Sequence, residues 1–86
     1  MEESLVGRSP RPRPKKLGLK LKRIRAAFGY SQVAMAKELG FKTVYPSHIS
    51  QYEHGTREPP LPVLLKYARL AGISTDVLID DKIEYK

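Results

Sequence analysis

Three stretches of this chain with apolar residues at helical spacing are closed by a glycine followed at once by a large apolar residue: Gly29-Tyr30, Gly40-Phe41 and Gly72-Ile73. Glycine enters the left-handed backbone conformation that ends a helix without steric cost, and the apolar residue after it folds back over the last turn. Three stops of one chemistry, each closing a stretch with apolar residues at helical spacing, constrain the fold to the all-α class. The first stretch predicts a helix over Leu17–Phe28, with Leu17, Leu21, Ile24, Arg25 and Phe28 on one stripe and Lys20, Lys22 and Arg23 off it. Ser31 suits the N-cap of a second helix, in which Met35, Ala36 and Leu39 face inward and Lys37 and Glu38 outward. A third helix begins near Pro46, where a missing amide proton costs nothing; Ile49 and Tyr52 turn inward, and Ser47, Ser50 and Gln51 turn outward. Thr56-Arg57-Glu58-Pro59-Pro60 is a loop, because tandem proline excludes helix. A fourth helix over 62–71 has Leu61, Leu64, Leu65, Ala68 and Ala71 as its buried stripe. A short helix near Thr75–Ile79 closes the core through Val77 and Leu78.

A length of 86 residues allows one domain with a compact, locally connected core. Residues 1–16 read as a basic arm. Pro10, Pro12 and Pro14 alternate with Arg11, Arg13 and Lys15, which removes amide donors and favours extended chain. Residues 17–79 form the helical domain. Residues 80–86 are a short extended tail, in which Ile83-Glu84-Tyr85 alternates like a strand but is too short to stand alone. With no cysteine, disulfides and thiolate metal sites are excluded. His48 and His54 alone make a poor metal site, so no metal or cofactor is expected. No apolar run approaches the length of a membrane span, and the N-terminus lacks an apolar signal core, which points to a cytoplasmic protein.

The formal charge of +7 is unevenly spread. Arg8, Arg11, Arg13, Lys15, Lys16, Lys20, Lys22, Arg23 and Arg25 crowd the first part of the chain, whereas Asp76, Asp80, Asp81 and Glu84 lie near its end. Such polarity steers a protein towards a polyanion, or else is a solvated basic face. The second and third helices, separated by a glycine turn, have the form of a helix-turn-helix, which lays one helix in the major groove of DNA. Ser47, Ser50 and Gln51 share the free face of the third helix and are the candidates for base edges. Glutamine bonds two atoms of adenine, and serine accepts several partners. Ser47 has the alternative of capping the helix or binding phosphate. The connection between Gly40 and Ile49 is about three residues longer than a tight helix-turn-helix requires. Lys42, Thr43 and Tyr45 reach towards the DNA backbone from that enlarged turn, and His48 either touches phosphate or covers the turn. From the arm, Arg8, Arg11, Arg13, Lys15 and Lys16 either track phosphates and the minor groove or only solubilise.

The pattern Arg25-x-x-x-Gly29-x-Ser31-Gln32-x-x-x-Ala36-x-x-Leu39-Gly40, then Ile49-Ser50-x-Tyr52-Glu53-x-Gly55-x-Arg57-x-Pro59, resembles the phage repressor/Cro-type helix-turn-helix family. The likeness continues through Leu64, Ala68, Gly72-Ile73 and Leu78 and so spans about 17–79. It implies a compact five-helix, repressor-like domain that binds double-stranded DNA as a homodimer and regulates transcription. It further implies that Gln32 contacts a phosphate, that Thr56 and Arg57 run beside the sugar-phosphate backbone, and that Arg25 and Glu53 form a structural ion pair. Two other readings stand beside it: a protein-interaction module on the same fold, and an antitoxin-type autorepressor, the latter disfavoured by the lack of a long neutralising tail. Two histidines and no glycine-rich phosphate cradle leave no catalytic constellation, so neither an enzyme nor a small-molecule substrate is expected.

Overall fold

The glycine stops fall where helices end. In a computed structural model, which describes residues 13–85, the helices are α1 (Leu17–Phe28), α2 (Gln32–Leu39), α3 (Pro46–His54), α4 (Leu61–Ala71) and α5 (Thr75–Ile79). Gly29, Gly40, Gly55 and Gly72 each cap a helix at φ between 70° and 78°. One of these four stops, Gly55, is followed by Thr56 rather than by an apolar residue. Ser31 Oγ accepts from Ala34 N at 3.0 Å and starts α2. Arg8 and Arg11 lie outside the described residues.

One core joins all five helices. Leu21, Ile24, Met35, Ile49, Tyr67 and Leu78 are fully buried at its centre. The tightest seam is between α1 and α3. A methyl group built on Gly18 would lie 2.5 Å from the Glu53 carbonyl oxygen and 2.9 Å from that of Tyr52. Only glycine lets the start of α1 sit this close to the last turn of α3, since real packing never tolerates such a contact.

Three expectations about burial and one about the tail need correction. Lys20 is not off the buried stripe: it is 2% exposed, and its Nζ donates to the carbonyls of Val77 at 2.6 Å, Asp80 at 2.9 Å and Ile83 at 2.7 Å. An ammonium has three donors, and here all three meet carbonyls at and beyond the C-terminal end of α5. Phe28, placed on the stripe, is 43% exposed and stacks on Tyr30 with ring centroids 5.4 Å apart. In α4 the buried stripe is Val63, Leu64, Tyr67 and Ala68, while Leu61 and Leu65 are exposed at 71% and 41% and Ala71 is half-buried. This helix is apolar nearly all round, so two stripes compete in its sequence and tertiary packing chooses between them. Finally, 80–85 is not a strand, and no strand occurs among the described residues. Asp80 makes a turn by accepting from Lys82 N at 2.9 Å, and the segment folds back on α1, where Arg23 Nη1 donates to the Tyr85 carbonyl at 3.0 Å.

The same segment closes the other end of α1. Lys16, its N-cap residue, offers no side-chain cap. Instead Asp81 accepts from Lys15 N at 2.8 Å and Lys16 N at 3.0 Å. These two amide bonds hold the Asp81 carboxyl below the usual carboxylate range. Residues 13–16, the end of the expected arm, are thereby tied to the body.

Candidate nucleic-acid interface

α3 has two faces because its sequence alternates at helical spacing. Ile49 and Tyr52 are buried beneath it. Ser47, Ser50, Gln51 and His54 share the opposite face: Ser47 and His54 are exposed, Ser50 and Gln51 half-buried. Pro46 occupies the first turn, so the longer connection does not displace the helix start. Val44, buried at 8% exposure, anchors that connection, and Val44 N donates to the Phe41 carbonyl at 3.1 Å to close its turn.

His48 is used at the start of α3. Its Nδ1 accepts from Tyr45 N at 3.1 Å, which puts the proton of the neutral ring on Nε2. Ser47 is therefore not the cap; it sits one residue inside the helix, exposed. His54 Nδ1 lies 2.8 Å from the Ser50 carbonyl and 3.4 Å from Ser50 Oγ, so Ser50 leans along the helix towards His54. Sequence reasoning had passed over His54 on this face; its spacing of seven from Ser47, two helical turns, was the available signal.

Two arginines hold α3. From α1, Arg25 Nε donates to Glu53 Oε2 at 2.6 Å and Nη2 to Oε1 at 3.0 Å, a bidentate pair. Arg25 Nη1 also donates to the Tyr30 carbonyl at 2.9 Å, so one guanidinium ties together α3 and the turn into α2. Its hydrogen bond with Glu53 raises the Arg25 pKa against the opposing effect of burial. Below lies Tyr67, whose hydroxyl is buried without a partner among the described residues and whose pKa is pushed far up, first by burial and then by Glu53. From the loop after α3, Arg57 Nε donates to Gln51 Oε1 at 2.6 Å. The Gln51 main-chain carbonyl accepts from Thr56 N at 3.0 Å and Thr56 Oγ1 at 3.3 Å. Burial raises the Tyr52 pKa, and Arg57 partly offsets this.

The remaining residues singled out from the sequence gather around this face only in part. Gln32 is half-buried at the first turn of α2; Lys42, Thr43 and Tyr45 are exposed in the connection before α3. Arg13 reaches the opposite end of α3, with Nη1 donating to the Gly55 carbonyl at 3.4 Å. Lys15 and Lys16 are exposed near the start of α1 and are held there by Asp81. A groove of about 350 Å³ runs between the start of α1 and the end of α3, lined among others by Arg13, Lys22, Glu53 and Arg57. Its mixed charge does not make an anion cradle. Among the described residues there is no cluster able to hold a metal ion and no helix long and apolar enough to cross a membrane.

A helix-turn-helix family profile matches residues 21–78, from within α1 to the end of the core in α5. The chain belongs to the helix-turn-helix family. Among individual relatives of this helix-turn-helix protein, an uncharacterized HTH-type transcriptional regulator derived from the SPbeta prophage of Bacillus subtilis (strain 168), YonR, is 40% identical over 62 residues, 72% of this chain and 55% of that protein. The HTH-type transcriptional regulator ImmR of the same organism is 36% identical over 63 residues, 73% of this chain and 47% of that protein. The chain thus spans about half the length of the curated relatives it matches. Among solved structures, the P22 c2 repressor in complex with a synthetic operator superposes with a TM-score of 0.66 at 28% identity, covering 76% of this chain and 94% of that one.

Proposed function

We propose that this protein is a cytoplasmic transcriptional regulator, a repressor without enzymatic activity, that binds double-stranded DNA sequence-specifically by laying α3 in the major groove. The observation that carries this reading is the division of α3 itself: Ile49 and Tyr52 fasten it from below, and Ser47, Ser50 and Gln51 stand on its free face. A helix anchored on one side and polar on the other presents hydrogen-bonding groups at the scale of base edges. Gln32, Lys42, Thr43, Tyr45, His48, Thr56 and Arg57 set its register on phosphates, and the basic arm over 1–16 adds contacts without sequence information. The structural likeness to a repressor seen with its operator supports the same docking.

Two copies are needed in this reading, because three side chains on one short helix discriminate too few base pairs against genomic competitors. The apolar strip of Leu61, Leu65 and Ile79 lies outside the core and suits a second copy. Arg69 and Asp76 carry opposite charges on the two helices that bear it, a combination that a self-complementary two-fold contact can pair across its axis. Selection of bound duplexes from a random pool tests the whole reading. A two-fold symmetric site with half-sites one helical turn apart is the expected result, with affinity falling steeply as salt rises. If every duplex competes equally at moderate salt, the proposal fails, and a salt-insensitive protein complex would favour the interaction-module reading.

A further inference from the structure

We infer that Arg57 is a specificity-determining residue: it holds the Gln51 side chain so that this chain reads guanine, not adenine, at the Gln51 position. The inference rests on the DNA-binding reading above. Its basis is a contact that the spacing of the two residues does not foretell, since positions six apart do not share a helix face. The contact forms because Gly55, at φ +78°, turns the chain back along α3. The Gln51 carbonyl then accepts from Thr56 N at 3.0 Å and Arg57 N at 3.4 Å, which sets the Arg57 backbone beside Gln51. From there Arg57 Nε reaches Gln51 Oε1 at 2.6 Å.

The chemistry of arginine settles which way the amide faces. Glutamine oxygen and nitrogen are close to interchangeable in shape, but a guanidinium only donates, so the atom turned towards Arg57 is the oxygen. The Gln51 NH2 group points the other way and has no hydrogen-bond partner among the described residues. A free glutamine reads adenine by accepting from N6 and donating to N7 at once. A glutamine held in this way is poorly set to do both. Its oxygen is occupied, and an adenine amino group approaching the second lone pair would bring a donor against the guanidinium. What it offers is donors alone, beside a fixed positive charge. Guanine presents two acceptors, O6 and N7, on its major-groove edge and no donor there. Arg57 keeps its two terminal nitrogens for a phosphate, so positioning Gln51 does not exclude a backbone contact.

The experiment compares the full chain with its Arg57→Ala variant by duplex selection followed by competition titration at one salt concentration. For the native chain, one position in each half-site is expected to favour guanine over adenine by about fivefold to a hundredfold. In Arg57→Ala that position should lose or reverse the preference by the same factor, while preferences elsewhere in the site stay as they were. A uniform loss of affinity with the guanine preference intact would make Arg57 a phosphate contact only and overturn the inference. A native chain that selects adenine there overturns it too. If the native chain enriches no sequence at all, the DNA-binding reading itself is lost, which is a different result. A second measurement needs no DNA. The Gln51 side-chain amide proton resonances should move on Arg57→Ala, and resonances that stay in place would show that the two side chains do not meet.

Discussion

Two arginines grip α3 from opposite sides, and the contrast between them separates stability from recognition. Arg25 and Arg57 each place Nε 2.6 Å from an oxygen of an α3 side chain. On the inner side, Glu53 has a side chain only 4% exposed, and Arg25 meets it with two bonds. On the outer side, Gln51 is half-buried, Arg57 is exposed, and a single bond joins their side chains. Removing the inner cation strands a carboxylate in a poorly solvated place. Removing the outer one admits water to a neutral amide. The same donor group therefore contributes cohesion where solvent is excluded and orientation where solvent is present.

Four substitutions break or sharpen that contrast. Arg25→Ala has the largest expected effect, a loss of about 3 kcal/mol from leaving Glu53 uncompensated. Urea denaturation measures it, and a loss below about 1 kcal/mol would put both arginines in one class. Gly18→Ala comes next, at about 1–3 kcal/mol, because its methyl group must push the end of α3 away from α1. A double-mutant cycle with Arg25→Ala should be clearly non-additive, since both act on the same seam; additive losses would mean that the ion pair does not depend on the close approach. Tyr67→Phe is expected to raise stability by roughly 1 kcal/mol, because it deletes a buried hydroxyl that lacks a partner while keeping the ring. A fall in melting temperature would instead reveal a bond from that hydroxyl. Arg57→Ala sits last, with stability changed by no more than about 0.5 kcal/mol in a thermal melt. A larger loss there would erase the distinction between inner and outer grips.

The helices were legible because their ends depend on neighbours in sequence. Glycine stops at Gly29, Gly40 and Gly72, the Ser31 cap and Pro46 in the first turn are local devices, and each acts within one or two turns. The two faces of α3 were legible for the same reason. What escaped the sequence depends on distant partners. Lys20 reads as a surface lysine because its acceptors are supplied by residues 77–83. Gly18 reads as an ordinary helical residue until the carbonyls of Tyr52 and Glu53 arrive above it. In α4, Leu61 and Leu65 compete with Val63 and Tyr67 for the core, and periodicity alone cannot rank two stripes on a helix that is apolar on most sides. The polar residues of α3 could be picked out singly, but the grip of Arg57 on Gln51 required the course of the loop beyond Gly55.

The enclosure of Lys20 has a practical consequence. An ammonium whose three hydrogens are all committed to carbonyls has no lone pair with which to attack, and its burial screens it from reagents in solution. Acylating agents are therefore expected to label Lys15, Lys16 and Lys22 quickly and Lys20 slowly. Its labelling rate becomes an intrinsic clock for the peeling of the acidic C-terminal segment from the first helix, readable by peptide mass spectrometry without any added probe.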